Sequence, residues 1–311
     1  MKAHLIYNPT AGPRDVSNVL QRVLSEFQSY GWTVHSSITH RPGDTIRLAS
    51  TAAKDGCDLV LVSGGDGTVN EAVNGLVGTQ TALGTIPVGT GNMWAKQLGF
   101  HPPTLANPLR LTEVVDSLAR GTIRAVDVGV ANGRYFLCWT GVGLDSQITA
   151  EMEPRPRYVK RLGMFPYAVA ALTVAGDFPG VRTRLSIDGD QIRARTLLVL
   201  VSNIQQYCGG LDIAPDGRVD DGLLDVFVFK GLGFKYALRH FLRILSHRYL
   251  RDPEVIYRQA SYIEVATDPV MPAQLDGDPL MYTPVTIHVV PHALRVLVPS
   301  HGPSDLFIDA V

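Results

Sequence analysis

Leu59-Val60-Leu61-Val62-Ser63-Gly64-Gly65-Asp66-Gly67-Thr68-Val69-Asn70-Glu71-Ala72-Val73-Asn74 is the stretch around which this chain is organised. Its apolar, partly β-branched opening reads as a buried strand, its glycines as a tight turn, and Val69 onward as a helix with apolar residues at 69, 72, 73, 76 and 77. Glycines let the backbone bend sharply and approach a ligand, and the N–H groups of a first helical turn point at whatever anion sits there. Asp66 alters that picture. A carboxylate beside a phosphate is repelled unless a cation or a transferable proton lies between them, so the pairing points to a metal nucleotide.

Working outward, strand and helix patterns alternate: strand Ala3 to Tyr7, helix Val16 to Tyr30, strand Trp32 to Ile38, helix Asp44 to Ala53, and strand Leu83 to Pro87 after the central stretch. Such alternation predicts an α/β domain with a mostly parallel sheet, whose ligands lie at the carboxyl ends of the strands. Four polar, glycine-bearing loops fall on that edge: Asn8-Pro9-Thr10-Ala11-Gly12, Thr39 to Asp44, Gly64 to Thr68, and Pro87-Val88-Gly89-Thr90-Gly91-Asn92. From about Ile123 the pattern changes to many short apolar segments, the last two being Val285 to Val289 and Leu294 to Val298. Turn signals such as Asn132-Gly133 and Asp188-Gly189 separate them, which predicts a C-terminal antiparallel β-sandwich domain. The expected division is 1–122, 123–304 and a tail 305–311.

At 311 residues the chain suits two domains, and its 45% apolar content suits well-buried ones. The formal charge of −1 gives no global attraction to nucleic acid. Cys57, Cys138 and Cys208 form no CxxC pair and read as small core residues of a reduced, cytoplasmic protein. Met1 to Tyr7 lacks the apolar run of a signal peptide, and no stretch reaches the ~20 apolar residues of a membrane span, so the expectation is a soluble or peripheral protein.

Gly64-Gly65-Asp66-Gly67-Thr68-Val69-Asn70-Glu71, with Asn8 to Gly12 before it and Pro87 to Asn92 after it, resembles the catalytic domain of the diacylglycerol kinase and sphingosine kinase family, in its soluble bacterial branch. NAD kinases share the Gly-Gly-Asp-Gly-Thr turn, but the Asn70-Glu71 continuation and the Gly89-Thr90-Gly91-Asn92 loop fit lipid kinases better. The resemblance implies a nucleotide-binding first domain and a β-sandwich acceptor domain, with the active site in the cleft between them and the tail 305–311 returning to the first domain. It also implies ATP and Mg²⁺, with nucleotide contacts from Asn8, Pro9, Thr10, Ala11, Gly12, Thr39, Gly64, Gly65, Asp66, Gly67, Thr68, Val69, Asn70, Glu71 and Thr90.

Two acidic stretches lie in the second half. Leu211 to Asp225 packs Asp212, Asp216, Asp220, Asp221 and Asp225 closely. A hard cation would relieve their repulsion, and solvated turn acids are the other reading. By resemblance, Asp221 with the backbone carbonyls of Arg218 and Leu223 forms a structural magnesium site. Leu275-Asp276-Gly277-Asp278-Pro279 reads from its residues either as a hairpin turn or as a carboxylate that takes a hydroxyl proton. The resemblance makes Asp276 the general base, while Asp278 stands where relatives commonly carry glutamate.

Two stretches have the composition of a membrane contact. Arg155 to Tyr167 mixes four cations with aromatic and apolar residues, and a core-packing helix with a solvated basic start is its other reading. In Phe234 to Leu245, residues Phe234, Leu238, Phe241, Leu242 and Leu245 share one face and Lys235, Arg239 and Arg243 another, a pattern that predicts a helix packed on the core. The reading is an ATP-dependent lipid kinase acting on a lipid substrate such as diacylglycerol at the membrane surface, with no nucleic-acid partner and scope for a homo-oligomer. NAD kinase-like phosphorylation of a ribose hydroxyl and a non-catalytic lipid or nucleotide sensor are the alternatives. Asp66 and Asp276 together argue against the sensor.

Overall fold

The computed structural model describes residues 1–11, 17–88, 92–100, 110–152, 174–176, 178–207 and 210–308. The first elements are β1 (Lys2–Tyr7), α1 (Ser17–Ser29), β2 (Thr33–Ile38), α2 (Asp44–Lys54), β3 (Leu59–Gly64), α3 (Asp66–Leu76), β4 (Ala82–Pro87), α4 (Met93–Gln97), α5 (Arg110–Ala119) and β5 (Thr122–Ala131). Then come β6 (Arg134–Phe136), β7 (Trp139–Gly143), α6 (Leu144–Met152), β8 (Val181–Ile187), β9 (Asp190–Ser202), β10 (Gln206–Tyr207), β11 (Leu211–Asp212), β12 (Leu224–Lys230), α7 (Gly233–Leu245), β13 (Val255–Ala260), β14 (Tyr262–Asp268), β15 (Pro272–Leu275), β16 (Asp278–Tyr282) and β17 (Val285–Val298). By contact the chain forms two units, Met1–Val126 with His292–Asp305 and Asp127–Pro291 with Leu306–Ile308.

In the first unit, β3 is buried at every position, as a central parallel strand covered on both faces requires. β1 pairs with it in parallel, β2 lies outside β1, and β4 lies on the other side of β3. The end of β17 joins β4 in parallel at Val296↔Leu83. The order β2-β1-β3-β4-β17 reverses direction between β1 and β3. The loops after these two strands therefore leave on opposite courses and open a crevice at the sheet's carboxyl edge. β2 is largely exposed and polar, which suits the edge position.

In the second unit, β9 pairs with β8 through its first half and with β7 through its second, while β12 takes its other edge. All three pairings are antiparallel. Their inward side chains form one core that includes Phe136, Leu185, Val199, Val226 and Ile263. Asn132-Gly133, Asp188-Gly189 and Asp276-Gly277 all have positive φ at both residues, the conformation that two-residue hairpin turns need and that Asn-Gly and Asp-Gly supply.

The architecture agrees with the expected parallel α/β part and antiparallel remainder, and several details differ. α3 begins at Asp66 rather than Val69, because Gly65 serves as its N-cap and the Val69 amide donates to the Gly65 carbonyl at 3.1 Å. Val285 to Val289 and Leu294 to Val298 are one strand. His292, at φ 51, lies inside that strand where the contacts change from the second unit to the first. β13 was not in the pattern reading, and the β15–β16 hairpin bears out the hairpin reading of Leu275 to Pro279. The expected second domain runs to 304, whereas His292–Asp305 clusters with the first unit. The next three residues then return to the second unit. Ile308 donates its amide to Asp220, Val219 donates to the Leu306 carbonyl, and the Arg218 guanidinium donates to the Phe307 carbonyl.

The core-helix reading of α7 is corrected. Of its residues only His240 is buried, and the five-residue apolar face is exposed. Polar anchors set this rotation. Arg239 grips the buried Asp252 carboxylate with two bonds of 2.8 and 2.7 Å, and the His240 Nε2 donates to the Lys230 carbonyl at 2.7 Å. Burial raises the Asp252 pKa, but the Arg239 bonds, the Glu254 amide and the Arg239 and Arg243 charges outweigh it and hold the carboxyl below its ordinary value.

A carboxyl with a lowered folded pKa stabilises the fold above its unfolded pKa and loses that contribution as pH falls through the folded value. Asp252→Asn should therefore cost about 1 to 2 kcal/mol near neutral pH, with the half-exposed arginines limiting the penalty. The difference from the parent chain should shrink below about pH 4. Urea unfolding at neutral and acid pH checks this, and equal stabilities at neutral pH would contradict the anchoring role.

Candidate active site

The crevice loops are tied to one another through side chains. Asn8 follows β1, and its Nδ2 donates to Thr68 Oγ1 at 2.9 Å, while its Oδ1 accepts from the Thr10 amide and hydroxyl at 2.9 and 2.7 Å. This closes the turn after β1 and links it to the first turn of α3. Gly64 is required by that approach, because a Cβ there would lie 2.5 Å from Thr68 Cβ. Asp66 accepts the Met93 amide at 2.6 Å and so fastens the start of α4 to the start of α3. Glu71 accepts from the amides of Gly43 and Thr45 at 2.8 and 3.2 Å. Gly43 caps α2 with no side-chain bond of its own, so Glu71 supplies that cap from α3. The Thr39 amide donates to the Tyr7 carbonyl, holding the loop after β2 beside β1.

Within the expected nucleotide set, Gly65, Asp66 and Gly67 are partly exposed, as are Asn8, Pro9 and Ala11, and Thr10 is exposed. Thr39, Gly64, Thr68, Val69 and Asn70 are buried and shape the loops from below. The helix start is thus open to solvent at Gly65 to Gly67, ahead of the first intrahelical bond at Val69. The positive end of the helix dipole lies at that start, an arrangement suited to phosphate. Gly12 and Thr90 lie outside the described residues, as do Cys208 and the basic stretch Arg155 to Tyr167. Cys57 and Cys138 are buried.

Asp276 sits at the corner of the β15–β16 hairpin with φ 49 and is 6% exposed. Its Oδ1 accepts from the amides of Cys138 and Trp139 at 2.8 and 2.9 Å, its Oδ2 accepts from Leu137 at 2.8 Å, and its own amide donates to the Trp139 carbonyl at 2.9 Å. Three amide donors on one carboxylate match its acceptor-only chemistry and fix its orientation. The two readings of the sequence are therefore joined, since Asp276 is both a hairpin residue and a carboxylate held rigidly in place.

Gln274 and Asp127 escaped the sequence reading, whereas Asp145 lies in the stretch Thr140 to Asp145 that reads as either a pocket lining or a strand end with a turn. Gln274, wholly buried, takes the Gly277 amide on Oε1 and donates Nε2 to Asp145 Oδ2, both at 2.8 Å. Asp145 and Gln274 thereby brace the Asp276-Gly277 turn from beneath. Asp127 is wholly buried and accepts the Gly222 amide at 2.6 Å. An acid inside the apolar run Ala125 to Val130 was the available signal, because a buried carboxylate demands partners.

The stretch around Asp221 has the donor chemistry of a hard-cation site. Burial first, and then the nearby Asp127 and Asp220 charges, raise the Asp221 carboxyl pKa against the opposing Leu223 amide bond. Burial also pushes Asp225 up to about 6 although Tyr257 donates a hydrogen bond to it. Crowded carboxylates that resist ionisation suit a bound cation with oxygen ligands. Among the described residues no cluster of three or more His, Cys, Asp or Glu side chains could hold a metal, so the set needs backbone carbonyls.

Residues 2–131 match the model of the diacylglycerol kinase catalytic domain, and residues 139–298 match that of the YegS C-terminal NAD kinase beta sandwich-like domain. The chain is 29% identical over 279 residues to a diacylglycerol kinase of Bacillus subtilis (strain 168), covering 89% of each. It is 28% identical over 280 residues to a diacylglycerol kinase of Staphylococcus carnosus (strain TM300), covering 89% of this chain and 88% of the relative. A crystal structure of a candidate diacylglycerol kinase from Bacillus anthracis str. Sterne superposes with a TM-score of 0.79 at 26% identity, over 96% of this chain and 95% of that one. With both halves matched in order, the chain belongs to the diacylglycerol kinase family, in the form that joins its catalytic domain to the YegS-type β-sandwich.

Proposed function

We propose that this chain transfers the γ-phosphoryl group of ATP to a lipid hydroxyl, with diacylglycerol as the acceptor class. Membership of the family makes it a lipid kinase with ATP as phosphate donor. The relatives' names supply the acceptor. The observation that carries the reading is the partly exposed Gly65-Asp66-Gly67 helix start, held open at the sheet's switch point by the Asn8–Thr68 bond.

In this reading the amides of Gly65 to Gly67 and the turn Asn8 to Ala11 bind and orient the triphosphate. Thr39, Glu71 and Thr68 keep those loops in register without touching it. The acceptor oxygen attacks the γ-phosphorus, the bond from that phosphorus to the bridging oxygen of ADP breaks, and the hydroxyl proton passes to Asp276. Asp145 and Gln274 are positioning residues for the turn that carries Asp276. Mg²⁺, when bound, would offset charge on the phosphates, and Asp66 would act through Mg²⁺ or an ordered water rather than by direct phosphate contact. A second, structural Mg²⁺ would be held by the Asp221 carboxylate with the carbonyls of Arg218 and Leu223.

Asp276→Asn should lower kcat by ~10² to 10⁴ with the KM for ATP little changed. It should also lower stability by about 1 to 2 kcal/mol, because an amide group cannot accept all three backbone bonds. Turnover close to normal in a folded variant would remove Asp276 from the role of base. Gly64→Ala should weaken ATP binding at least about tenfold and cost about 1 to 3 kcal/mol, because Thr68 must move and take the Asn8 bond with it. Gly65→Ala, whose added carbon meets nothing within 4 Å, should keep the parent stability. Unchanged ATP affinity in Gly64→Ala, read by calorimetry, would contradict the loop assignment.

A further inference from the structure

α7 carries two apolar faces. Tyr236 and Ala237, beside the buried His240, pack against the core of the second unit. Phe234, Leu238, Phe241, Leu242 and Leu245 instead face solvent, each between 40% and 55% exposed. With Leu232 and Leu250 they make up seven of the fourteen exposed large apolar side chains among the described residues, all within 232–250. Single exposed apolar residues are ordinary, but a contiguous set of this size marks a contact surface.

Charge identifies what covers it. Residues 226–251 hold six Lys and Arg and no Asp or Glu, in a chain whose formal charge is −1. Lys235, Arg239 and Arg243 step along the flank of the exposed stripe at every fourth position, and the buried Asp252 offsets only part of their charge. A hollow of about 490 Å³, lined by Arg239, Leu242, Arg243, Ser246 and Arg248, opens beside the stripe; Arg239 and Arg243 share the Asp252 carboxylate there, and Arg248 adds an exposed guanidinium. Two-fold pairing with a second copy would set this row of cations against itself, with no acid on α7 to answer it. A bilayer bearing anionic lipid answers both features. The apolar stripe enters the acyl boundary while the cations lie at the level of the phosphates.

We propose that α7 is a membrane-docking helix that lies flat on an anionic bilayer, with Phe241 and Leu242 in the inserted stripe and Lys235 and Arg248 at the headgroups. This deepens the lipid-kinase reading and rests on it for its purpose, since an acceptor dissolved in a bilayer has to be reached there. Adsorption is measured without turnover, so failure of either reading is visible separately.

The test is flotation of the full chain with vesicles of mixed phosphatidylglycerol and phosphatidylcholine, and of phosphatidylcholine alone, at ~0.05 and ~0.5 M salt. The parent should bind the mixed vesicles, bind neutral ones poorly, and release as salt rises. Phe241→Ser/Leu242→Ser should bind at least about tenfold more weakly. Lys235→Gln/Arg248→Gln should also lose about tenfold or more, with a flatter salt dependence. All four side chains are exposed, so both variants should keep the parent unfolding temperature. They should also keep turnover of a short-chain, water-soluble diacylglycerol while losing it on vesicles. Binding by the parent without turnover of either acceptor would fault the kinase reading alone. Vesicle binding unchanged in either double variant would overturn the docking assignment. So would a parent dimer that becomes a monomer in Phe241→Ser/Leu242→Ser, which would give the stripe to a second copy.

Discussion

The hydrogen bond from the Asn8 amide to the Thr68 hydroxyl, 2.9 Å long, crosses the point where the first unit's sheet reverses its winding. β1 sends its chain toward β2 on one side, and β3 sends its chain toward β4 on the other. Without a tie the two loops would be free to part. With it, the turn after β1 and the first turn of α3 become one surface, and Gly64 is confined to a residue with no side chain because Thr68 lies against it. Asp66 and Glu71 extend the same logic, as each capping carboxylate fastens a neighbouring helix start to α3. Three loops and the start of α4, far apart in sequence, are thus oriented by bonds that end on α3 or on the strands beside it.

The second unit solves a related problem with the opposite chemistry. Where the first, in the proposed function, offers amides to an anion, the second offers amides to its own carboxylate. Leu137, Cys138 and Trp139 hold Asp276, and Asp145 and Gln274 hold the turn on which it rides. In its proposed role as base, Asp276 gains from such rigidity, because small misplacements cost large factors in rate. Asp188, in a turn of the same spelling, spends its carboxylate on Ser261 and Tyr262. The Asp-Gly pair dictates the hairpin in both cases, and only the surroundings separate their uses.

Much of this was legible in the sequence because it follows from period and turn chemistry. A continuous apolar run marked β3 as a buried strand, alternation placed β4 after its helix, and Asn-Gly and Asp-Gly marked the hairpins. The start of α3 was misplaced by three residues because glycines at 65 and 67 read as a turn, whereas Gly65 is a cap and Gly67 lies inside the first helical turn. The role of Glu71 was hidden because its partners lie 26 and 28 residues away. The orientation of α7 could not be read from amphipathicity alone. Periodicity gives the faces of a helix but not which one turns inward, and the buried Asp252 and the Lys230 carbonyl decide that here.

Taken together, the first unit presents a glycine-bearing loop edge proposed to bind phosphate, the second presents a fixed carboxylate, and α7 presents an apolar face rimmed by cations. Incubation with γ-labelled ATP and a total lipid extract, with NAD supplied in a parallel reaction, tests the central claim most directly. The account predicts label on a phosphomonoester lipid derived from diacylglycerol and none on NAD. Label on the dinucleotide, with every lipid unlabelled, would contradict it.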